Sequence, residues 1–84
     1  MRLTQVKSSN ITAIGWEEGE VKGEGTLSVL FHSGGLYRYY GVEERVFGEL
    51  LQSESVGKTF HRIVQGAYAF DQESTERQKT GRGR

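Results

Sequence analysis

A glycine-centred hairpin pattern constrains the fold of this chain more than any other feature. Residues 26–32 alternate in polarity, so that Leu27, Val29 and Phe31 fall on one face of a strand. Residues 36–40 follow a pair of glycines and contain three tyrosines, which favour extended structure. Two such segments around a short glycine turn are typical of an antiparallel hairpin. The chain is therefore predicted to contain an antiparallel sheet.

The turn of this hairpin sets which residues lie opposite one another. We predict a three-residue turn that ends at Gly35, with positive φ at that glycine, because glycine adopts this conformation without strain. This turn sets Phe31 opposite Tyr37 and Val29 opposite Tyr39. The two tyrosines then lie on the apolar face of the hairpin and are expected to reach the core.

A shorter turn would reverse the two faces of the second strand. With the three-residue turn, Arg38 shares the outer face with Leu30. A two-residue turn at Gly34-Gly35 would instead place the Arg38 guanidinium opposite Phe31, inside the apolar layer. Because burying an unpaired charge is costly, the three-residue turn is favoured.

Amphipathic helices are predicted in the second half of the chain. Apolar residues recur there at helical spacing in two groups. The first group is Val46, Phe47, Leu50 and Leu51, and the second is Val56, Phe60, Ile63 and Val64. Gly66 is expected to end the second helix.

The predicted fold class is α+β. A further strand, at residues 11–16, precedes an exposed acidic connection at residues 17–24. The sheet is thus a three-stranded antiparallel meander, covered on one face by the two amphipathic helices. The other face of the sheet is left for water or for a partner.

Length and composition predict one small domain. With 84 residues and no cysteine, the chain has one thin core and neither a disulfide nor a thiolate metal site. Residues 1–70 form the predicted domain. Residues 71–84 are polar and charged without periodicity, so we predict a disordered basic tail there.

Charge and hydropathy limit the classes of partner. The 11 basic and 11 acidic residues give a formal net charge of zero, which argues against a nucleic-acid binder held mainly by electrostatic attraction. No apolar run is long enough to cross a bilayer, and the first residues lack the apolar core of a signal peptide. We therefore expect a cytoplasmic protein with no membrane partner.

The sequence offers no pattern for catalysis. Gly57-Lys58-Thr59 matches the end of a phosphate-binding P-loop, but Gln52 stands where that motif requires its first glycine. His32 and His61 have no metal-ligand spacing around them. We expect a non-catalytic protein without metal or cofactor.

The tyrosine-rich strand is the candidate binding element. Aromatic side chains on a sheet can stack on nucleobases, at about 1–3 kcal/mol for each contact, and a guanidinium can contact phosphate or stack as a cation. The candidate nucleic-acid-binding residues are Arg38, Tyr40, Tyr37, Tyr39, Lys58, His61 and Arg62. The alternative is that Tyr37 and Tyr39 belong to the core, which leaves Arg38 and Tyr40 as the exposed pair.

Several of these residues resemble the pattern of the KTSC domain, a short module named for its occurrence at the C-terminus of some lysyl-tRNA synthetases and found alone in bacterial and phage proteins. Ser8-Ser9-Asn10-Ile11 resembles the Ser-Ser-x-Ile element that opens the family pattern. Tyr37-Arg38-Tyr39 resembles its Tyr-x-Tyr signature, and residues 55–60 resemble its Ser-x-Gly-x-x-Phe element. The resemblance spans residues 6–70 and implies the family's fold. It suggests RNA binding and assigns no catalytic residue.

Two functions are left open by the sequence. The first is a small module that binds RNA or tRNA. The second is a protein-interaction module, such as a phage or accessory factor that binds a host protein. Convergence of Arg38, Lys58 and Arg62 in one patch would favour nucleic acid, and an acidic loop lying across them would favour a protein partner. The sequence does not determine the oligomeric state.

Overall fold

A computed structural model describes residues 3–73 as one antiparallel sheet with two helices. In chain order the elements are β1 (Thr4–Gln5), β2 (Ile11–Glu18), β3 (Glu24–Phe31), β4 (Leu36–Glu43), α1 (Glu44–Gln52), α2 (Val56–Ile63) and β5 (Phe70–Glu73). The order of the strands across the sheet is also β1 to β5. The predicted α+β class with two helices is confirmed.

The sheet has five strands where the sequence pattern predicts three. β1 has only two residues, both polar and exposed, so it shows no alternation. β5 contains a single apolar residue, Phe70, and joins the edge of β4 after both helices. Residues 71–73 therefore belong to a strand, which corrects the predicted domain boundary at residue 70 and the start of the disordered tail. The rest of that predicted tail, residues 74–84, lies outside the described residues.

The acidic connection between the first two long strands is shorter than predicted. β2 continues to Glu18 and β3 begins at Glu24, so only residues 19–23 connect them. The two backbones approach closely, because a β-carbon at Gly25 would overlap the carbonyl oxygen of Glu17. Glycine at position 25 thus permits strand pairing within the segment predicted as a loop.

The β3–β4 turn has the predicted length but lies one residue earlier than predicted. The N–H of Gly34 donates to the carbonyl oxygen of Phe31 at 2.8 Å, and the N–H of Phe31 donates to the carbonyl oxygen of Gly35 at 3.0 Å. Gly34 takes the left-handed conformation, with φ of 100°, in place of Gly35. This is the three-residue turn in which the last residue forms a glycine bulge.

The shifted turn changes the strand partners but not the faces. Val29 lies opposite Tyr37 and Leu27 lies opposite Tyr39, two residues from the predicted pairs. An even shift leaves each side chain on its predicted face. Tyr37 and Tyr39 therefore point toward the helices, and Arg38 points away from them.

The helices cover one face of the sheet and form the core with it. Val46 and Leu50 of α1 and Val56 and Phe60 of α2 are buried in this core. The sheet contributes Ile11, Ile14, Leu27, Val29, Tyr39 and Val42. Tyr39 is only 4% exposed, so it is a core residue, as the alternation predicts. Within the described residues, neither helix is long and apolar enough to cross a membrane.

The opposite face of the sheet carries a different set of side chains. Leu30 and Leu36 lie across from each other there and are half-buried. Arg38 and Tyr40 belong to the same face. Neither α1 nor α2 packs on this face, so within residues 3–73 it has no helical cover.

Candidate functional site

A cleft lined by five aromatic rings opens between the sheet and the C-terminal half of α2. We call it the aromatic cleft, and its rings belong to Phe31, Tyr37, Tyr39, Phe60 and Phe70. Its volume is about 540 Å³. The rim consists of Ser9, Asn10, His32, Ser33, His61, Gln65 and Gly66. No lysine, arginine, aspartate or glutamate among residues 3–73 lines this cleft.

The rings of the cleft hold one another in place through edge-to-face contacts. The centroids of Phe31 and Tyr37 are 5.3 Å apart at an interplanar angle of 85°, and those of Tyr39 and Phe60 are 5.3 Å apart at 77°. Phe31 and Phe60 close the cluster at 5.8 Å and 74°. Such pairs are worth about 0.5–1.5 kcal/mol beyond the area they bury. The walls of the cleft are therefore preorganised.

Phe70 supplies the most exposed ring of the cleft. It is 54% exposed, although its centroid lies 5.7 Å from that of Tyr37 and 5.3 Å from that of Tyr39. The ring thus packs on two tyrosines and still presents a large apolar surface to water. A planar ligand can stack on such a surface.

Two side-chain contacts hold strand β5, which carries Phe70, against β4. Both lie on the face of the sheet away from the aromatic cleft. The phenol of Tyr40 donates to Oδ2 of Asp71 at 2.9 Å, and the guanidinium of Arg38 forms an ion pair with Glu73. Because side chains alternate along a strand, these contacts lie on the face away from Phe70. Arg38 and Tyr40 therefore tie β5 to β4 without entering the cleft.

Two of the tyrosine phenols have raised pKa values. Burial is the main cause for Tyr39, with a smaller contribution from Tyr37. For Tyr40, the hydrogen bond to Asp71 is the main cause of the raised pKa. Both phenols keep their protons at neutral pH and can donate hydrogen bonds.

His32 forms hydrogen bonds to residues 8–12, at the start of β2 and in the segment before it. Its Nε2 lies 2.9 Å from the carbonyl oxygen of Ser8, and its Nδ1 lies 2.7 Å from Oγ1 of Thr12. Since a carbonyl can only accept, Nε2 donates, and Nδ1 of the neutral ring accepts from the threonine hydroxyl. The backbone N–H of His32 also donates to the carbonyl oxygen of Asn10 at 2.9 Å. These bonds give His32 a structural role at the rim of the cleft.

A second groove continues from the rim of the aromatic cleft. We call it the lysine groove; its volume is about 460 Å³. It is lined by Lys7, Ser8, Ser9, Asn10, Glu54, Ser55, Gly57, Lys58 and His61. Ser9, Asn10 and His61 line both the groove and the cleft, so the two are contiguous. Two lysines and one glutamate thus lie beside an uncharged aromatic cleft.

The wall of the lysine groove depends on a glycine in α2. A β-carbon at Gly57 would lie 2.7 Å from Oδ1 of Asn10 and 3.2 Å from Oγ of Ser8. Ser8 Oγ accepts the N–H groups of Asn10 and Ile11, each at 3.3 Å, and donates to Oδ1 of Asn10 at 3.0 Å. Glycine at position 57 lets this polar turn pack directly against the helix.

Four of the seven predicted binding residues lie at these two grooves. Tyr37 and Tyr39 line the aromatic cleft, and Lys58 lines the lysine groove. His61 lines both. The tyrosines line a cleft and do not form an open stacking platform on the sheet, because the helices cover their face of the sheet.

The other three predicted residues lie elsewhere. Arg38 and Tyr40 are on the opposite face of the sheet, and Arg62 is exposed on α2 and lines neither groove. Lys58 and Arg62 lie one turn apart on α2, whereas Arg38 is on the far face of the sheet, so the three do not converge in one patch. The loop at residues 19–23 carries one glutamate and one lysine, and it lies at the end of β2 and β3 that is opposite to the β3–β4 turn.

Sequence reasoning misses several residues of the two grooves. Phe31 and Phe60 have the spacing of ordinary core residues, and Lys7 carries no signal of its own. Phe70 stands beside the predicted tail, where nothing local indicates a strand. One signal in the sequence could have indicated the lysine groove: the two family-like elements at residues 8–11 and 55–60 both contribute residues to it.

The whole chain carries 11 basic and 11 acidic residues, so its formal net charge is zero. Within residues 3–73, no group of histidine, aspartate and glutamate side chains could hold a metal ion. The two grooves themselves offer a ligand aromatic rings, amide and hydroxyl groups, and the side chains of Lys7 and Lys58.

Comparison with known proteins indicates one family. The profile of the KTSC domain matches residues 7–68. An uncharacterised protein of Stutzerimonas stutzeri is 32% identical over 63 residues, which make up 75% of this chain and 83% of that protein. A protein of Tsukamurella paurometabola is 38% identical over 62 residues, or 74% of this chain and 87% of that protein. The crystal structure of a KTSC domain protein from Yersinia pestis has a TM-score of 0.77 and 26% identity, covering 87% of this chain and 97% of that one.

Proposed function

This chain belongs to the KTSC domain family, and we propose that it is a small non-catalytic module that binds single-stranded nucleic acid, RNA above all. The proposal depends on one observation: five aromatic rings, including the exposed ring of Phe70, line a preformed cleft of about 540 Å³ that no lysine, arginine, aspartate or glutamate of residues 3–73 enters. Every nucleobase has a π-face, and stacking one base on an aromatic side chain is worth about 1–3 kcal/mol. An unpaired base inserts into the cleft and stacks on Phe70.

The rim of the cleft can hydrogen-bond the edge of such a base. Asn10 and Gln65 each offer an amide that both donates and accepts. The imidazole of His61 lies at the same rim. Proteins that recognise RNA by sequence combine aromatic stacking with hydrogen bonds of this kind on unstacked bases. A base paired within a duplex cannot enter the cleft, so the proposed ligand is single-stranded.

Salt is expected to weaken this binding less than it weakens binding that depends mainly on phosphate contacts. Lys7 and Lys58 are the two cationic side chains that line the grooves within residues 3–73. If both contact phosphate, the slope of log affinity against log salt is about −1.4 for a single strand. A protein held mainly by phosphate contacts would show a much steeper slope.

A titration of the full chain with fluorescent single-stranded poly(A) RNA tests the proposal. Phe70→Ala is expected to lower the affinity by the stacking contribution of one base, about 1–3 kcal/mol. Leu51→Ala is the matched control, because Leu51 is an exposed apolar residue, 41% exposed, that lines neither groove. Failure of the wild type to bind, or equal affinities for wild type and Phe70→Ala, would contradict the proposal.

A protein partner is the second candidate function. The observation that favours it is the zero formal net charge of the chain together with Tyr40, 41% exposed, beside Leu30 and Leu36 on the opposite face of the sheet. An exposed surface of this composition suits a protein partner, such as a host protein bound by an accessory factor. This candidate predicts no binding in the RNA titration.

A further inference from the structure

We infer that the lysine groove is the phosphate subsite of the same ligand, so that the smallest unit recognised is a nucleotide. The base occupies the aromatic cleft, and its phosphate lies beside Lys7 and Lys58. This inference rests on the proposed function of the aromatic cleft and adds a second subsite to it.

The two grooves have the adjacency that a nucleotide requires. In a nucleotide, one ribose separates the base from the phosphate, so the two subsites must be neighbours. The aromatic cleft and the lysine groove share Ser9, Asn10 and His61 along their common border. A ligand that crosses this border leaves an uncharged aromatic environment and enters one that contains cations.

Both lysines of the groove are free to contact an anion. Three ion pairs form within residues 3–73; they involve Arg38 and Arg45, and none involves Lys7 or Lys58. Glu54 lines the same groove, so the groove carries one net positive charge. A phosphate therefore gains attraction here without first breaking an existing ion pair.

Two hydroxyl groups of the lysine groove are available to a ligand. The hydroxyls of Ser8 and Ser53 are not among them, because Ser8 Oγ forms hydrogen bonds in the turn that precedes β2 and Ser53 Oγ lies 2.6 Å from Oγ1 of Thr59. By contrast, the side chains of Ser9 and Ser55 make no hydrogen bond within residues 3–73. Both line the lysine groove, where their hydroxyls can donate to phosphate oxygens.

Glu54 provides a second test of the phosphate subsite, because removing its negative charge should strengthen nucleotide binding where removing a lysine weakens it. Its carboxylate repels a phosphate in the groove but has no reason to affect an uncharged nucleoside in the neighbouring cleft. Glu54→Gln is therefore expected to strengthen the binding of a nucleotide and to leave the binding of a nucleoside unchanged. Replacing Lys7 or Lys58 by glutamine is expected to weaken the binding of the nucleotide.

NMR titrations of the full chain with adenosine, adenosine monophosphate and inorganic phosphate test the inference. The wild type is expected to bind adenosine monophosphate about fivefold more tightly than adenosine, from two partly screened charge contacts. The double variant Lys7→Gln/Lys58→Gln is expected to lose this preference and to retain its affinity for adenosine. Lys22→Gln is the matched control, because Lys22 lies in the loop at the far end of the strands.

The outcomes separate this inference from the proposed function. Equal affinities of the wild type for adenosine and its monophosphate, or a preference that survives in the double lysine variant, would overturn the phosphate subsite and leave the base site intact. Absence of adenosine binding would overturn the base site and the inference with it. Because the substituted lysines and Glu54 are exposed, the variants are expected to fold, and Glu54→Gln gives an independent readout of opposite sign.

Discussion

Tyr40 donates a hydrogen bond to Asp71 at 2.9 Å on the face of the sheet away from the aromatic cleft. The same strand that carries Asp71 presents Phe70 to the cleft on its other face. A contact on one face of the sheet thus helps to position a ring on the other. Since Arg38 also pairs with Glu73 of β5, we expect Tyr40 and Arg38 to position Phe70 through this strand.

Tyr40→Phe is expected to loosen β5 while keeping the core intact. The substitution removes the hydroxyl that bonds Asp71 and retains the ring. Amide hydrogen exchange in residues 70–73 should accelerate, and the affinity for single-stranded RNA should fall with it. Tyr68→Phe is the control, since it removes a phenol hydroxyl outside β5. Unchanged exchange in β5 of Tyr40→Phe would show that the hydrogen bond does not hold the strand.

The Tyr40–Asp71 bond also predicts a pH dependence. It raises the pKa of the Tyr40 phenol above the ordinary value of 10.0. Because the protonated phenol is the donor, the stabilisation is complete below that ordinary pKa and is lost as the pH rises through the raised pKa of the folded state. An NMR titration of the Tyr40 ring should show its pKa falling in Asp71→Ala. A pKa that stays the same in this variant would contradict the assignment of the bond as its cause.

The contrast between Tyr39 and Phe70 separates the core from the site. Tyr39 is 4% exposed, so Tyr39→Ala is expected to lower the free energy of unfolding by about 3–5 kcal/mol. Phe70 is 54% exposed, so Phe70→Ala should cost only about 1 kcal/mol. Chemical denaturation of both variants measures the two losses. Equal losses of stability would contradict the assignment of Tyr39 to the core and of Phe70 to the exposed surface.

The two helical glycines are expected to respond oppositely to alanine. A β-carbon at Gly48 in α1 meets no atom within 4 Å, so Gly48→Ala should stabilise the protein by up to about 1 kcal/mol. A β-carbon at Gly57 in α2 would press on Asn10 and Ser8, so Gly57→Ala should destabilise it by about 1–2 kcal/mol. Thermal unfolding measured by circular dichroism compares them. Stabilisation by both substitutions would show that the polar turn does not depend on Gly57.

Local periodicity was enough to predict the hairpin, the helices and the faces of the tyrosines. The alternation of Leu27, Val29 and Phe31 specifies one face of β3, and an error of two residues in register does not move a side chain to the other face. Helical spacing likewise predicts the buried stripes of α1 and α2. These features depend on residues that are close in sequence, which is why the sequence is informative about them.

The additional edge strands and the composite site could not be predicted in this way. Both helices separate β5 from β4 in the sequence, so no local pattern encodes the pairing of these two strands. Phe70, the one apolar residue of β5, is also half exposed. The aromatic cleft needs rings from β3, β4, α2 and β5 to leave a gap between them. The lysine groove forms because Asn10 packs on Gly57 and so brings Lys7 and Lys58 to one surface. Each of these features depends on tertiary contacts.

The most direct test of the central claim is an NMR titration of the full chain with adenosine, which has no charge and so reports on the aromatic cleft alone. Saturable shifts are expected at Tyr37, Phe60 and Phe70 in the wild type and in Leu51→Ala, and in Phe70→Ala the shifts at Tyr37 and Phe60 should require a higher adenosine concentration. Absence of shifts at these residues, or shifts confined to Leu30 and Leu36 on the opposite face, would contradict the claim.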